Sequence, residues 1–311
     1  MEAGSPQGSP VVVVDRIRKR FGTTDVVADL SFEVRAGELL GFLGPNGAGK
    51  TTTMRMILDI IRPDAGTIAV FGGPPGVAHQ ARVGYLPEDR GLYRDVPVIE
   101  TLTYFGSLRG LGRAEARKRA ARLMEEMGLG DAQRKTGAQL SRGMHQKAQL
   151  IATIIADPDL LIVDEPFQGL DPVNAELLKS VLLERRARGT AVVMSTHDMA
   201  DAQAMCDRIL LIDRGRRLLY GSIPEVRGAF HDGAVVVRGR GIPDPLRTAT
   251  AGDRRDGTIR FVLRSGATAG DLFRELAERG AEIERFTEEA PDLAEIFVRT
   301  VAGDPRAAAV A

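Results

Sequence analysis

The sequence predicts an α/β fold, with a mainly parallel sheet, an antiparallel β layer, a helical subdomain and a small α+β domain at the C-terminal end. Three stretches predict it. The apolar run Leu39, Leu40, Gly41, Phe42 and Leu43 passes through a glycine-rich stretch into a segment where Met54, Ile57, Leu58 and Ile61 recur at helical spacing. Leu160, Leu161, Ile162 and Val163 form a continuous apolar run that ends at Asp164 and Glu165, which suits a strand buried on both faces. Residues 191–194 are a second such run, leading into Ser195, Thr196, His197 and Asp198.

Taken in order, residues 1–10 are rich in Gly, Ser and Pro and read as a disordered lead. Residues 11–14 and 30–34 are strand candidates and make an antiparallel layer before the first parallel unit. The first helix is expected to run to Arg62, because Pro63 disfavours the α conformation in the residue before it. A short strand follows at 67–71. From Val98 to Gly128 the pattern is helical, with Ala116, Ala120, Leu123, Met124 and Met127 on a core face. Arg113, Arg117, Lys118, Arg119 and Arg122 fall mostly on the other face and read as a solvated surface. Residues 140–147 open a further helix that ends near Asp157 and Pro158, so the helical subdomain spans about 88–157. Asp171 is placed as the N-cap and Pro172 as the first residue of the next helix. Residues 209–212 and 217–220 read as a hairpin across Asp213, Arg214 and Gly215. The main domain is thus 11–224. Beyond it, 225–301 reads as a small domain with strands at 234–237 and 258–263 and helices at 269–279 and 291–301, and 302–311 as a disordered tail.

The glycine-rich stretch consists of Gly44, Pro45, Asn46, Gly47, Ala48, Gly49, Lys50, Thr51 and Thr52. Gly44, Gly49, Lys50 and Thr51 fit the spacing of a phosphate-binding loop, and a strand before and a helix after supply the required context. Glycines let backbone N–H groups converge on an anion with no Cβ in the way, and the helix points its positive end at the same spot. Lys50 would reach the β- and γ-phosphates of a nucleotide, and the Thr51 hydroxyl would ligate Mg²⁺. Asp164 and Glu165 stand at a strand's C-terminal end, where ligands bind in open α/β sheets. Carboxylates buried there need a partner, which a metal–phosphate site supplies.

Composition bounds the rest. At 311 residues the chain is long for one domain. No apolar run approaches the roughly 18 residues of a membrane helix. Basic and acidic residues number 42 each, so no overall field points to nucleic acid, and none is expected as a partner. A single cysteine, Cys206, excludes an internal disulfide and a cysteine metal cluster, which fits a cytoplasmic location.

With these motifs in hand, residues 11–223 resemble the nucleotide-binding subunit of ATP-binding cassette (ABC) transporters. Phe21 matches the aromatic that stacks on adenine, and residues 44–52 match the P-loop. Glu88 takes the place of the family's Q-loop glutamine, and residues 140–144, Leu-Ser-Arg-Gly-Met, that of its Leu-Ser-Gly-Gly-Gln signature. Asp164 and Glu165 match the Walker B aspartate and catalytic glutamate, Asp171 the D-loop aspartate and His197 the switch histidine. The departures at Glu88, Arg142 and Met144 resemble those of bacterial sodium-export and drug-export cassettes, and the segment after Pro224 resembles their extra C-terminal domain.

The resemblance implies a P-loop NTPase cassette and assigns roles. Lys50 and the loop amides hold the phosphates of ATP; Thr51 and Asp164, directly or through water, hold Mg²⁺, and Glu88 is either a further ligand of metal or water or a surface glutamate. Glu165, next to Asp164 on a strand, turns its side chain elsewhere, toward an attacking water, as general base. His197 contacts the γ-phosphate. Phe21 stacks on adenine or sits in a core. Ser141 and Gly143 close over the nucleotide held by a second cassette, so that two sites form in a head-to-tail dimer, with a homodimer expected. Arg142 reads most simply as a solvated arginine, with pairing to phosphate or to an acidic partner as the alternative. The implied function is a cytoplasmic ATPase, peripheral at the inner face of the membrane, that drives a separate permease for export, with residues 85–102 and the following helices touching that permease. Two other classes stand beside it: a cassette ATPase acting on ribosomes or DNA, and a regulatory ATP-binding module without turnover. The cargo is not legible, because specificity resides in the permease.

Overall fold

The structure is a computed structural model that describes residues 10–88, 91–231, 233–255 and 257–310; of the expected lead, 1–10, residues 1–9 lie outside them and Pro10 begins a strand. The chain divides into two compact units, Met1–Ser222 and Ile223–Ala311.

In the first unit β1 (Pro10–Phe21) and β2 (Thr24–Arg35) form the antiparallel layer. After β3 (Leu39–Leu43) and α1 (Lys50–Ile57), β4 (Ala65–Val70) completes it on the other side of β1. The main sheet uses β3 with β5 (Val83–Leu86), β6 (Leu160–Asp164), β7 (Ala191–Thr196), β8 (Arg208–Asp213) and β9 (Arg216–Ser222). Its order is β5-β6-β7-β3-β8-β9, parallel except for the β8–β9 hairpin. Every residue of β3, β6 and β7 is buried. At about 1.5–3 kcal/mol for each large apolar side chain, these three strands anchor the loops at their C-terminal ends. The core joins both layers, with Val12, Leu30 and Phe32 against Leu40, Phe42 and Met54, and the Phe32 and Phe42 rings meet edge to face at 5.4 Å.

Two helical expectations change. α1 stops at Ile57, well before Pro63, because Asp59 adopts a left-handed φ of 56° and the Ile60 amide bonds back to the Arg55 carbonyl. The 98–128 pattern is two helices, α2 (Val98–Leu108) and α3 (Arg113–Glu126), separated by a turn in which Gly110 has φ 91°. Met124 and Met127 are buried, while Arg113 and Arg117 pair with Glu100 on the surface. α4 (Arg142–Ile154), α5 (Pro172–Ala187) and α6 (Met199–Met205) complete the unit. The hairpin turns through Arg214 (φ 45°) and Gly215 (φ 74°), the left-handed pair that a two-residue turn requires. The Gly215 amide bonds to the Ala48 carbonyl and the Ala28 amide to the Gly215 carbonyl, so this turn braces the glycine-rich loop.

The second unit opens with α7 (Ile223–Ala229). Its strands are β10 (Ala234–Arg240), β11 (Ala249–Arg255), β12 (Thr258–Leu263) and β13 (Glu282–Glu288), forming an antiparallel sheet of order β11-β12-β10-β13. α8 (Ala269–Glu278) packs Leu272 and Leu276 onto Val235, Val237 and Phe261. β13 was not anticipated: it is a charged edge strand in which only Ile283 and Phe286 are half-buried. After α9 (Leu293–Val301), the expected disordered tail instead holds a 3₁₀ turn, Pro305–Ala309, with Arg306 paired to Asp304 and lying over the Phe230 ring.

One carboxylate ties this unit together. Glu275 is 3 % exposed and accepts hydrogen bonds from the Arg247 amide at 2.8 Å, the Thr248 amide at 2.9 Å and the Thr248 hydroxyl at 2.7 Å. Burial pushes its pKa up, but these bonds and the nearby Arg247 guanidinium outweigh burial and hold it at about 2. A depressed carboxylate stabilises the fold above its ordinary value of 4.5 and loses that contribution as pH falls toward 2. Glu275→Gln should therefore cost about 1–3 kcal/mol at pH 7, and the gap from wild type should narrow below pH ~4.5. Thermal melting across that range checks it, and equal melting temperatures at pH 7 would remove Glu275 from this role.

Candidate functional site

The glycine-rich loop leaves the C-terminal end of β3 and turns into α1 at Lys50. Two of its glycines are required by their neighbours. A Cβ on Gly44 (φ 146°) would stand 2.2 Å from the Ile212 carbonyl oxygen, and one on Gly49 (φ 105°) 2.6 Å from that of Val26. The β8 strand and the loop's approach to β2 thus leave room for backbone alone. The C-terminal ends of β5, β6 and β7 reach the same edge of the sheet. Together they enclose a cavity of about 250 Å³ lined by Val26, residues 45–52, Glu88, Asp164 and Glu165.

Asp164 ends β6, is 2 % exposed, and lies opposite Ser195 of β7 in the strand register. Its Oδ2 accepts from the Thr51 hydroxyl at 2.9 Å and its Oδ1 from the Ser195 hydroxyl. The same Ser195 oxygen accepts from the Glu165 amide at 2.9 Å, so one hydroxyl fastens both acidic positions. Sequence reading passed over Ser195. It stands beside Thr196 and His197 in the chain, but only the β6–β7 register brings it against Asp164.

Glu165 is not on the strand. β6 stops at Asp164, and Glu165 takes a left-handed φ of 45°. That backbone turn, and not strand alternation, directs its side chain, and both carboxylates line one cavity. Its Oε2 accepts from His197 Nδ1 at 2.9 Å, while its Oε1 is buried with no hydrogen-bond partner and lies 3.8 Å from Lys50 Nζ. With Nδ1–H given to the carboxylate, Nε2 is the nitrogen left for a ligand, and the imidazole orients the acid. Lys50 is itself buried and donates to the carbonyls of Gly44 at 2.6 Å and Pro45 at 3.2 Å. Burial lowers its pKa, and Glu165, Asp164 and Glu88 pull it back up.

The other expected residues lie apart from this cavity. Phe21, at the end of β1, is 51 % exposed with the Lys19 ammonium 5.6 Å from its ring centre, so it is a surface aromatic and not a core one. Ser141 caps α4 by accepting from the Met144 amide at 3.3 Å, and Asp171 caps α5 by accepting from the Asn174 amide at 3.1 Å. The Asn174 amide bonds hold the exposed Asp171 carboxyl below the ordinary carboxylate range. A Cβ on Gly143 would come within 2.8 Å of Asn174 Nδ2, so Gly143, two residues beyond Ser141, and Asp171 meet at Asn174, another position sequence reading missed. Arg142 is exposed, as expected, and its Nη2 donates to the Gln168 carbonyl at 3.1 Å.

A parallel sheet that presents a glycine cradle, a buried lysine and two acids at one edge defines a phosphate-loop nucleotide-binding ATPase. Comparison with known proteins places it further. A family model described as ABC transporter matches residues 27–168, and one described as ATP-binding protein DrrA1-3-like, C-terminal domain, matches 221–301. The uncharacterized ABC transporter ATP-binding protein YhaQ of Bacillus subtilis (strain 168) is 32 % identical over 298 residues, covering 94 % of this chain and 98 % of that protein. Nod factor export ATP-binding protein I of Paraburkholderia xenovorans (strain LB400) is 40 % identical over 262 residues, covering 83 % and 84 %. A solved ATP binding subunit of an ABC transporter superposes with a TM-score of 0.66 at 31 % identity, covering 71 % of this chain and 93 % of that one. The chain belongs to the ATP-binding subunits of ABC transporters, ATP-hydrolysing proteins that work with membrane permease components. Among the described residues no helix is long and apolar enough to cross a membrane.

Proposed function

We propose that this ATPase drives export through a permease on a separate chain, at the inner face of the membrane, and that it works as a head-to-tail pair of cassettes, most simply two copies of this chain. The observation that carries the pair is the split of the site. Ser141, Gly143 and Asp171 form a compact group that does not line the cavity holding Lys50, Asp164 and Glu165. A second copy presenting that group would close the cavity. Export rests on the likeness to proteins named for Nod factor export. An apolar cavity of about 730 Å³ beside α2, lined by Tyr93, Val96, Tyr104 and Leu111, lies in the stretch assigned to permease contact, with Tyr93 and Tyr104 half-exposed.

Within each site the P-loop amides and Lys50 hold the phosphates of ATP. Glu165 takes the proton of the attacking water on Oε1, the buried oxygen with no hydrogen-bond partner, while His197 keeps the carboxylate aimed. The site fits Mg²⁺: Asp164 is a buried carboxylate bonded only to hydroxyls, beside the Thr51 oxygen, with Glu88 on the same wall. Mg²⁺ takes one or two protein ligands and completes its shell with phosphate and water. When bound, Mg²⁺ neutralises phosphate charge. Phe21 offers a ring for adenine on the outer side.

Ser141→Ala should bind ATP on its own loop as wild type does, yet hydrolyse it roughly tenfold to a hundredfold more slowly. Unchanged turnover would count against the shared site. Transport is tested by purifying tagged Glu165→Gln with ATP in mild detergent from the native host. A polytopic membrane protein in defined ratio supports the reading, whereas ribosomes or nucleic acid in its place overturn it.

A further inference from the structure

The first turn of α4 is fastened to the loop that joins Glu165 to Asp171. Arg142 Nη2 donates to the Gln168 carbonyl at 3.1 Å, and one turn on, Gln146 Nε2 donates to the Pro166 carbonyl at 3.2 Å. Gly169 has φ 67°, and a Cβ there would stand 2.1 Å from Arg142 Nη2, so the guanidinium lies directly on this glycine. The loop so held begins immediately after Glu165 and ends at Asp171, the cap of α5. Other contacts hold it as well: the Gln168 amide bonds to the Glu165 carbonyl and the Leu170 amide to that of Phe167, Pro166 is buried, and the Lys179 ammonium lies 5.6 Å from the centre of the Phe167 ring. A glycine at 142, as in the more common signature, would offer no donor to it.

We propose that Arg142 is a positioning residue that clamps loop 166–170 to the first turn of α4. Glu165, which works on one nucleotide, and Ser141, which reaches another across the dimer of the proposed function, then shift as one body. The clamp acts on the geometry of Glu165 and Asp171 and touches no part of the cradle at 44–52. Its loss therefore lowers kcat and leaves KM for ATP near its wild-type value. Lysine at 142 keeps a donor within reach of the Gln168 carbonyl and restores part of the function, which a merely space-filling role would not require.

The test has two readouts. Hydrogen exchange of the nucleotide-free chain reads the clamp itself, independently of the dimer or of transport: Arg142→Ala should raise exchange at the amides of residues 167–170 while the melting temperature stays near wild type. Steady-state ATPase reads its consequence, with kcat reduced roughly tenfold in Arg142→Ala, partly recovered in Arg142→Lys, and KM within about twofold. Exchange at wild-type level in Arg142→Ala overturns the clamp, whatever the state of the proposed function. Raised exchange with unchanged kcat overturns its positioning role, and a raised KM with unchanged kcat shows Arg142 acting on the nucleotide directly and overturns it as well.

Discussion

Glu165→Gln should bind ATP as tightly as wild type and turn it over at least roughly a hundredfold more slowly, the effect of losing a general base. Glutamine keeps the size of the side chain, and its amide oxygen still accepts from His197 Nδ1, so the contact at 2.9 Å survives. What disappears is the basic Oε1, the buried oxygen without a hydrogen-bond partner near Lys50. An amide cannot take a proton from water at neutral pH. Since nucleotide is neither lost nor cleaved, the variant should accumulate as a dimer with ATP on size exclusion, where wild type cycles. Phosphate release at wild-type rate would remove Glu165 from the role of base and leave His197 or Glu88 to be tested in its place.

Lys50→Ala should lose both binding and turnover. Its ammonium is the one cation lining a cavity that also holds Glu88, Asp164 and Glu165, among the described residues. Without it, phosphate charge arrives beside three carboxylates, and the expected fall in kcat/KM is roughly 10²–10³-fold or more. Equilibrium binding of a fluorescent ATP analogue separates this variant from Glu165→Gln, which retains binding; tight binding by Lys50→Ala would sink the assignment. The ammonium also predicts a pH dependence. Burial lowers the Lys50 pKa below its ordinary 10.5, and a lysine is charged only below its pKa. The basic limb of kcat/KM, which reports the free enzyme, should therefore begin below 10.5 and be absent from the residual activity of Lys50→Ala.

The residues of the cradle were legible because their chemistry is local. Gly44, Gly49, Lys50 and Thr51 work through backbone conformation and a helix start that a nine-residue window contains. The buried strands were legible for the same reason: continuous apolar runs at 39–43, 160–163 and 191–194 have no stable home except the interior of a sheet. α1 ran shorter than expected because a left-handed Asp59, four residues before Pro63, ends it; a proline marks where a helix must stop, not where it does. The charged strand β13 escaped notice because its partner, β10, lies more than forty residues away and supplies the hydrogen bonds that its own pattern does not advertise.

By itself, the sequence determined the α/β class, the phosphate loop with its lysine and hydroxyl, the pair of acids and the histidine, since each is written in a short run of residues. Tertiary structure alone decided how those parts meet. Strand register set Ser195 against Asp164, a left-handed turn and not strand alternation aimed Glu165 at His197, and the docking of α4 on loop 166–170 brought Arg142 onto Gly169. The physical reason is one of range: backbone conformation and burial pattern are encoded over a few residues, whereas a hydrogen bond between strands or helices exists only after the chain has folded and its register is set.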